Sequence, residues 1–327
     1  MSRRGWAMFA AMGVIWGMPY LLIKIAVGGV SVPVLVLARV AIGTALLLPV
    51  AVRRRQFAAL RGAWGWLAVF AVVEIVMPWF ALAEAERGIS SSLTGLLIAA
   101  VPIMVAVLSL MLRGGDRLST IRWIGLFIGL AGVALLAGPK LVGAGATVGS
   151  ARSVAEVLFV ALCYATGPLI MKAKLSQVPP IVMTAASLAL ATLVYAPLAA
   201  LSWPAAMPSA KVLVAIAGLA LVCTAAAFLI FFSLIGEVGP ARASVITYIN
   251  PAIAVALGVS ILGERVTPVM LAAFVTILIG SVLATRPARR AAAAPAASAS
   301  ALASAAGSAG ASVATEASVA TAPGTAT

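Results

Sequence analysis

Apolar residues run along this chain in long, nearly unbroken stretches, punctuated by short clusters of Arg, Lys, Gly and Pro. Ten stretches stand out, at about 6–27, 34–52, 64–85, 90–112, 119–138, 153–173, 180–201, 211–235, 241–262 and 267–285. Each is close to the roughly 20 residues that a helix needs to cross a hydrocarbon core about 30 Å thick. The pattern therefore predicts an all-α integral membrane protein of ten transmembrane helices. From about residue 286 the chain becomes rich in Ala, Ser, Gly and Thr, with Glu316 its only charge after Arg290. That segment has no periodic apolar face to bury, and 286–327 is expected to be a disordered cytoplasmic tail.

The punctuation repeats. At a spacing of 148 residues Trp16 matches Tyr164, Lys24 matches Lys172, Pro49 matches Pro197, Arg117 matches Arg265 and Gly132 matches Gly280. Pro102 matches Pro251 one residue further on, and Asp116-Arg117-Leu118-Ser119 mirrors Glu264-Arg265-Val266-Thr267. Residues 6–138 and 153–285 thus read as two copies of one five-helix unit. Five is odd, so the second copy must enter the membrane from the opposite face. Inverted repeats suit alternating access, because exchanging the conformations of the halves turns an inward-open state into an outward-open one.

Composition agrees with a membrane protein. The chain is 64% hydrophobic and 9% charged, with a mean hydropathy of +1.18, whereas soluble domains are about half apolar and a quarter charged. The net charge of +14 would suit nucleic acid, but the cations lie in loops between apolar runs. With the N-terminus inside, fifteen Lys and Arg fall in inner segments and five in outer ones. That bias sets both termini in the cytoplasm and makes the net charge a matter of topology, with no nucleic-acid partner. The leading Arg3-Arg4 pair is read as a cytoplasmic anchor, not as an export signal. Cys163 and Cys223 lie inside apolar runs and read as packed thiols. The chain has no His, which excludes imidazole metal sites, Ser-His-Asp catalysis and His proton relays. No cofactor or metal is expected.

Several motifs carry a family likeness: Trp16-Gly17-Met18-Pro19-Tyr20 in the first run, Ala38-Arg39-Val40 in the second, and Asn250-Pro251 leading to Leu262-Gly263-Glu264-Arg265-Val266-Thr267. On these the chain resembles the EamA family of the drug/metabolite transporter superfamily, over nearly all of residues 6–285. The first repeat departs from the pattern with Arg113-Gly114-Gly115-Asp116-Arg117, where Asp replaces Glu and one residue is added. The resemblance implies a basket of ten helices around a central cavity lined by spans 1, 3, 4, 6, 8 and 9. It also implies export of amino acids, related metabolites or drugs.

Within the runs, polar residues are candidates for function. Glu74 lies about ten residues into the third run, near the bilayer midplane at about 1.5 Å per residue. A carboxylate there faces a cavity or finds a partner. It reads as a partner for a substrate ammonium or a proton-coupling site, with a structural hydrogen bond to a neighbouring helix as the alternative. Lys24, Arg39 and Glu156 fall toward the outer ends of spans 1, 2 and 6. They form either an outer gate or, for the two cations, side chains that snorkel to the headgroups.

Trp16 and Tyr164 are midplane aromatics at matched positions, with Tyr20, Trp79 and Tyr248 nearby; they stack on a planar or cationic substrate or pack in the core. Pro19, Pro78, Pro102, Pro168 and Pro251 each free a backbone carbonyl, and Asn250 adds an amide beside one of them. Pro19, Pro102, Pro168 and Pro251 are hinge candidates, the alternative being static kinks. Gly125, Gly129 and Gly132 give the fifth run a small-residue face for packing within the fold or in a homodimer.

These features point to a secondary transporter in the plasma membrane that exports a small metabolite. A membrane-embedded enzyme would need clustered polar catalysts, and a channel would need a polar ring or filter. There is no Walker-type Gly-x-x-x-x-Gly-Lys-Ser/Thr sequence to couple ATP.

Overall fold

The computed structural model describes residues 2–112, 119–142, 146–239 and 243–285. The Arg113–Arg117 motif with Asp116, the Arg242 position and the tail from 286 lie outside the described residues. Inside them, each apolar run is helical, because a backbone surrounded by lipid can satisfy its N–H and C=O groups only within its own segment. The first span is α1 (Arg3–Gly17) and α2 (Pro19–Ala26), and the second is α3 (Val32–Arg53). The third joins α4 (Trp64–Ala71) to α5 (Met77–Gly88), and the fourth joins α6 (Ser91–Ile98) to α7 (Val101–Leu112). The fifth to seventh are α8 (Thr120–Leu141), α9 (Val148–Lys174) and α10 (Pro180–Ala200). The eighth joins α11 (Ala210–Ala217) to α12 (Ala227–Val238), the ninth is α13 (Asn250–Leu262) behind a short 3-10 turn (Ser244–Tyr248), and the tenth is α14 (Pro268–Ala284).

Among the described residues nine spans are long and apolar enough to cross a membrane. The tenth, α14, has 17 residues, about 26 Å of helix, at the short end of the crossing range. The sixth span starts five residues earlier than the hydropathy pattern predicts. Thr147 and Ser150 form a reciprocal cap there, each hydroxyl accepting from the other's backbone N–H at 3.0 Å, and this fixes the helix start in polar sequence.

Three spans break at proline. α1 gives way to α2 at Met18, just before Pro19; the fourth span breaks at Ala99–Ala100 before Pro102; and the ninth begins after a 3-10 turn with Pro251 in its first turn. Pro168 differs, since α9 runs through it without interruption. Gly167 precedes it, and a residue without Cβ escapes the clash that normally drives the residue before proline out of the helix.

Two spans carry π-helical turns at matched places, Val72–Val76 in the third and Gly218–Ala226 in the eighth. In the third, Pro78 cannot donate, and Met77 N–H reaches back to the Val72 carbonyl. Two residues before the proline, the Val76 carbonyl accepts from the Tyr195 hydroxyl at 2.6 Å. In the eighth, the Thr224 hydroxyl donates to the Leu219 carbonyl at 2.9 Å and widens the turn.

Packing relates each half to the other. The second span packs on the seventh and the fifth on the tenth; the third packs on the sixth, as the eighth does on the first. Thr44 and Thr192, exactly one repeat apart, share a hydrogen bond at 3.2 Å. Along the fifth–tenth contact, Gly125 meets Ala284, Gly129 meets Gly280 and Gly132 meets Ile277, so the two helices run antiparallel with their backbones touching. The small-residue face of the fifth run is thus occupied by α14 of the same chain. Outside, Leu193, Phe127 and Val275 are more than half exposed, as residues that face lipid should be.

A side chain at Gly280 would overlap the Gly129 backbone, whereas nothing lies within 4 Å of a Cβ at Gly138. Gly280→Val should therefore lose about 1–3 kcal/mol through overpacking, read as a lowered midpoint for thermal exposure of buried Cys163 and Cys223 in detergent. Gly138→Ala should leave that midpoint unchanged.

Candidate functional site

The bundle buries a guanidinium at its centre. Arg39 lies two turns into α3 and is 8% exposed. Its Nε donates to Thr224 Oγ1 at 2.9 Å, and its guanidinium carbon stacks 3.6 Å from the centroid of the Trp79 ring. Trp79 and Tyr20, each 6% exposed, close the same group, and the Tyr164 ring lies against Trp79 and within electrostatic reach of Arg39. The π-helical turn of the eighth span places Thr224, and the turn in the third precedes Trp79. Both widened turns thus serve one site, a common use of π-bulges. A cation in a low-dielectric interior needs such compensation; here a ring face and a hydroxyl provide it.

Glu74 lies within the π-helical turn of the third span. Its Oε2 is buried and has no hydrogen-bond partner among the described residues. The carboxyl rests on Gly167 of α9, so closely that a Cβ there would overlap it. Cys163 and Tyr164, one turn before Gly167, flank it. The structural hydrogen bond weighed for Glu74 is thus absent among the described residues. Glu74 is a buried acid held against a glycine, at the edge of the group that surrounds Arg39.

A second polar cluster lies at the membrane face opposite the N-terminus, here called the distal face. Glu264, in the turn between α13 and α14, caps α6. Its Oε1 accepts from Ser91 N at 2.8 Å and Ser91 Oγ at 3.0 Å, and its Oε2 from Ser92 N at 2.8 Å and Ser92 Oγ at 2.5 Å. Partial burial works against the charge, yet these four hydrogen bonds and the helix N-terminus outweigh it and hold the carboxyl below its ordinary pKa. The cap is intact at neutral pH, and its stabilisation is lost only as pH falls through that lowered value. Lys24 Nζ donates to the main-chain carbonyls of Glu86 and Ile89, the latter at 2.7 Å. One turn of chain, 86–92, is thus held by a cation at the C-terminus of α5 and by an anion at the N-terminus of α6.

The expected outer gate of Lys24, Arg39 and Glu156 does not assemble. Lys24 binds α5 carbonyls, Arg39 points inward to Thr224 and Trp79, and Glu156 pairs with Arg152 on its own helix at 2.8 Å. Nor do the cations snorkel, because helix C-terminal carbonyls and a ring face hold them inside.

Trp16 packs on Phe231 and Phe228 of α12, at centroid distances of 4.6 and 6.4 Å, away from Tyr164. Tyr248 sits half-buried in the 3-10 turn. The Asn250 amide, oriented to donate, reaches the Gly13 carbonyl at 3.3 Å and the Ile246 carbonyl at 3.0 Å; it ties the ninth span to the first. A cavity of about 260 Å³ is an apolar lateral groove lined by Ala71, Val72, Leu190 and Leu193.

Two residues that sequence reasoning passed over complete these clusters. Thr224 looked like one more small residue in an apolar run; its only signal is its place next to Cys223 at the level of Arg39. Glu86, in Glu84-Ala85-Glu86-Arg87, falls just past the third apolar run, yet it is wholly buried.

Comparison with known proteins follows this geometry. The model of the EamA-like transporter family matches residues 3–138 and again 153–286. The chain is 26% identical over 282 residues to an uncharacterised inner membrane transporter, YedA, of Escherichia coli, covering 84% of this chain and 88% of that one; the protein of that name from further strains of the species matches equally. A crystal structure 20% identical in sequence superposes with a TM-score of 0.61 over 87% of this chain and 97% of its own, which shows the fold. With both halves matched, the chain is a multi-pass membrane protein that belongs to the EamA-like transporter family.

Proposed function

We propose that this protein is a secondary transporter that carries a small amphipathic metabolite, an amino acid or a related compound, out of the cell by alternating access, with both termini cytoplasmic. One observation carries the reading: the buried guanidinium of Arg39 is enclosed by side chains from both halves, Tyr20 and Trp79 from the first and Tyr164 and Thr224 from the second. Any rocking of one half against the other must open this group. The paired spans, the Thr44–Thr192 bond and the antiparallel glycine contact support two opposed halves moving about a shared axis. The relatives' description as transporters supports this over a membrane-embedded enzyme or a channel.

In this reading Arg39 receives an anionic group of the substrate, Glu74 receives a cationic group or a proton, and the aromatic rings cover the body between them. Both groups are buried, so a substrate that takes the place of Thr224 and Trp79 on Arg39 replaces lost interactions, and one that reaches Glu74 supplies a partner it lacks among the described residues.

Candidate substrates come from comparing metabolites in medium and cytoplasm with and without the protein, and the strongest is then tested for saturable uptake into proteoliposomes. In that assay Glu74→Gln should insert normally but lose uptake or its pH response; unchanged uptake at several pH values would remove Glu74 from the mechanism. Arg39→Lys keeps the charge but gives up the planar stack and the Nε bond. It should cut uptake at low substrate about tenfold, the equivalent of about 1.4 kcal/mol, and wild-type rates would show that Arg39 is only structural.

A further inference from the structure

Glu86 occupies the last turn of α5, beneath the clamped 86–92 turn at the distal face. Its side chain has no exposed surface, neither carboxyl oxygen has a hydrogen-bond partner among the described residues, and it makes no salt bridge there. A buried polar group left this way is rare and calls for an explanation. Lys24 Nζ spends two of its three protons on the carbonyls of Glu86 and Ile89, and the Thr94 hydroxyl, which faces the Glu86 carboxyl, donates to the Ser90 carbonyl at 3.0 Å.

The charges around Glu86 do not balance. From α2 it faces Lys24 and the phenol of Tyr20, and from the turn after α13 it faces Glu264. On α9, Arg152 and Glu156 neutralise each other. Arg39 of α3 is bound to Thr224 and Trp79. On its own helix, Glu84 pairs with Arg87. One cation, Lys24, therefore stands beside two carboxyls. Glu264 is fixed as an anion by four hydrogen bonds, so a second negative charge on Glu86 would lie in a dry site whose one nearby cation among the described residues, Lys24, is already engaged by two carbonyls.

We propose that Glu86 is a proton-binding site of this protein: it carries one proton in the closed arrangement and releases it to water at the distal face when the 86–92 turn lifts. The step is the simple dissociation of a carboxylic acid, the proton passing to solvent. Lys24, freed from the two carbonyls by the same movement, then pairs with the carboxylate left behind. Glu86 thereby couples proton release to opening of the distal face. Its place in a transport cycle rests on the transporter reading above, but the binding of the proton does not.

The test needs no transported substrate. In purified full-length protein in lipid nanodiscs, infrared difference spectra across a pH titration report protonated carboxyl groups by their C=O stretch. A titrating band should be present in wild type, persist in Glu74→Gln and vanish in Glu86→Gln. Hydrogen exchange at amides 89–94, corrected for the intrinsic rate, should rise severalfold toward alkaline pH in wild type and stay low in Glu86→Gln, which mimics the protonated form. A band untouched by Glu86→Gln, or amide exchange with the same pH dependence in that variant, overturns the proposal. Should Glu86→Gln fail to insert, Lys24→Met decides. Without the counter-charge the band must persist to higher pH, and an unchanged titration overturns the assignment. Retention of these results in a protein that shows no transport would sink the transporter reading alone.

Discussion

Inside a bilayer no water is available to replace a missing partner, so every backbone group and every charge must be satisfied by the chain itself. Most of this molecule follows from that constraint. It makes each apolar run a helix, and it turns each proline into a problem with a local solution. Pro78 is accommodated by the π-helical turn that precedes it, whereas Pro168 is accommodated by the glycine before it. The same constraint gives the few intramembrane charges their weight. A guanidinium that would cost little at a soluble surface here gathers four side chains from four other spans.

The two polar clusters answer the constraint differently. Around Arg39, compensation comes from a ring face and one hydroxyl, neither of which carries a charge. The site is therefore satisfied but not neutralised, and an anionic group could still gain by entering. At the distal face, Lys24 and Glu264 are compensated by helix ends, a cation on C-terminal carbonyls and an anion on N-terminal amides. Such contacts join rigid helices through a few short bonds and can be exchanged as a unit. The first arrangement suits binding and the second suits gating. Beside each cluster lies an acid, Glu74 near the first and Glu86 near the second, with oxygens that the fold leaves short of partners among the described residues.

The repeat explains why both halves are needed. Arg39, Tyr20 and Trp79 come from one copy, and Tyr164 and Thr224 from the other; the clamp likewise sets Lys24, Ser91 and Ser92 of the first copy against Glu264 of the second. Each cluster thus draws its side chains from both of the segments that the family model matches, 3–138 and 153–286.

By itself the sequence determined the number and order of the spans, the internal repeat, the breaks at Pro19, Pro102 and Pro251, and the presence of unusual charges at Lys24, Arg39 and Glu74. These are properties of a local stretch of chain: hydropathy, the missing N–H of proline, the cost of a charge among apolar neighbours. Only the tertiary structure decided which charges meet. Lys24, Arg39 and Glu156 share a depth along their helices but not a direction, and depth is all that position in a run conveys. Glu86 was hidden for the converse reason, because a charged tetrad at the end of a run looks like loop, and only the packing of α2, α6 and the Glu264 turn over it makes it interior. Thr224 gained its role from a guanidinium 185 positions away, and no local pattern holds information about a partner that folding alone brings near.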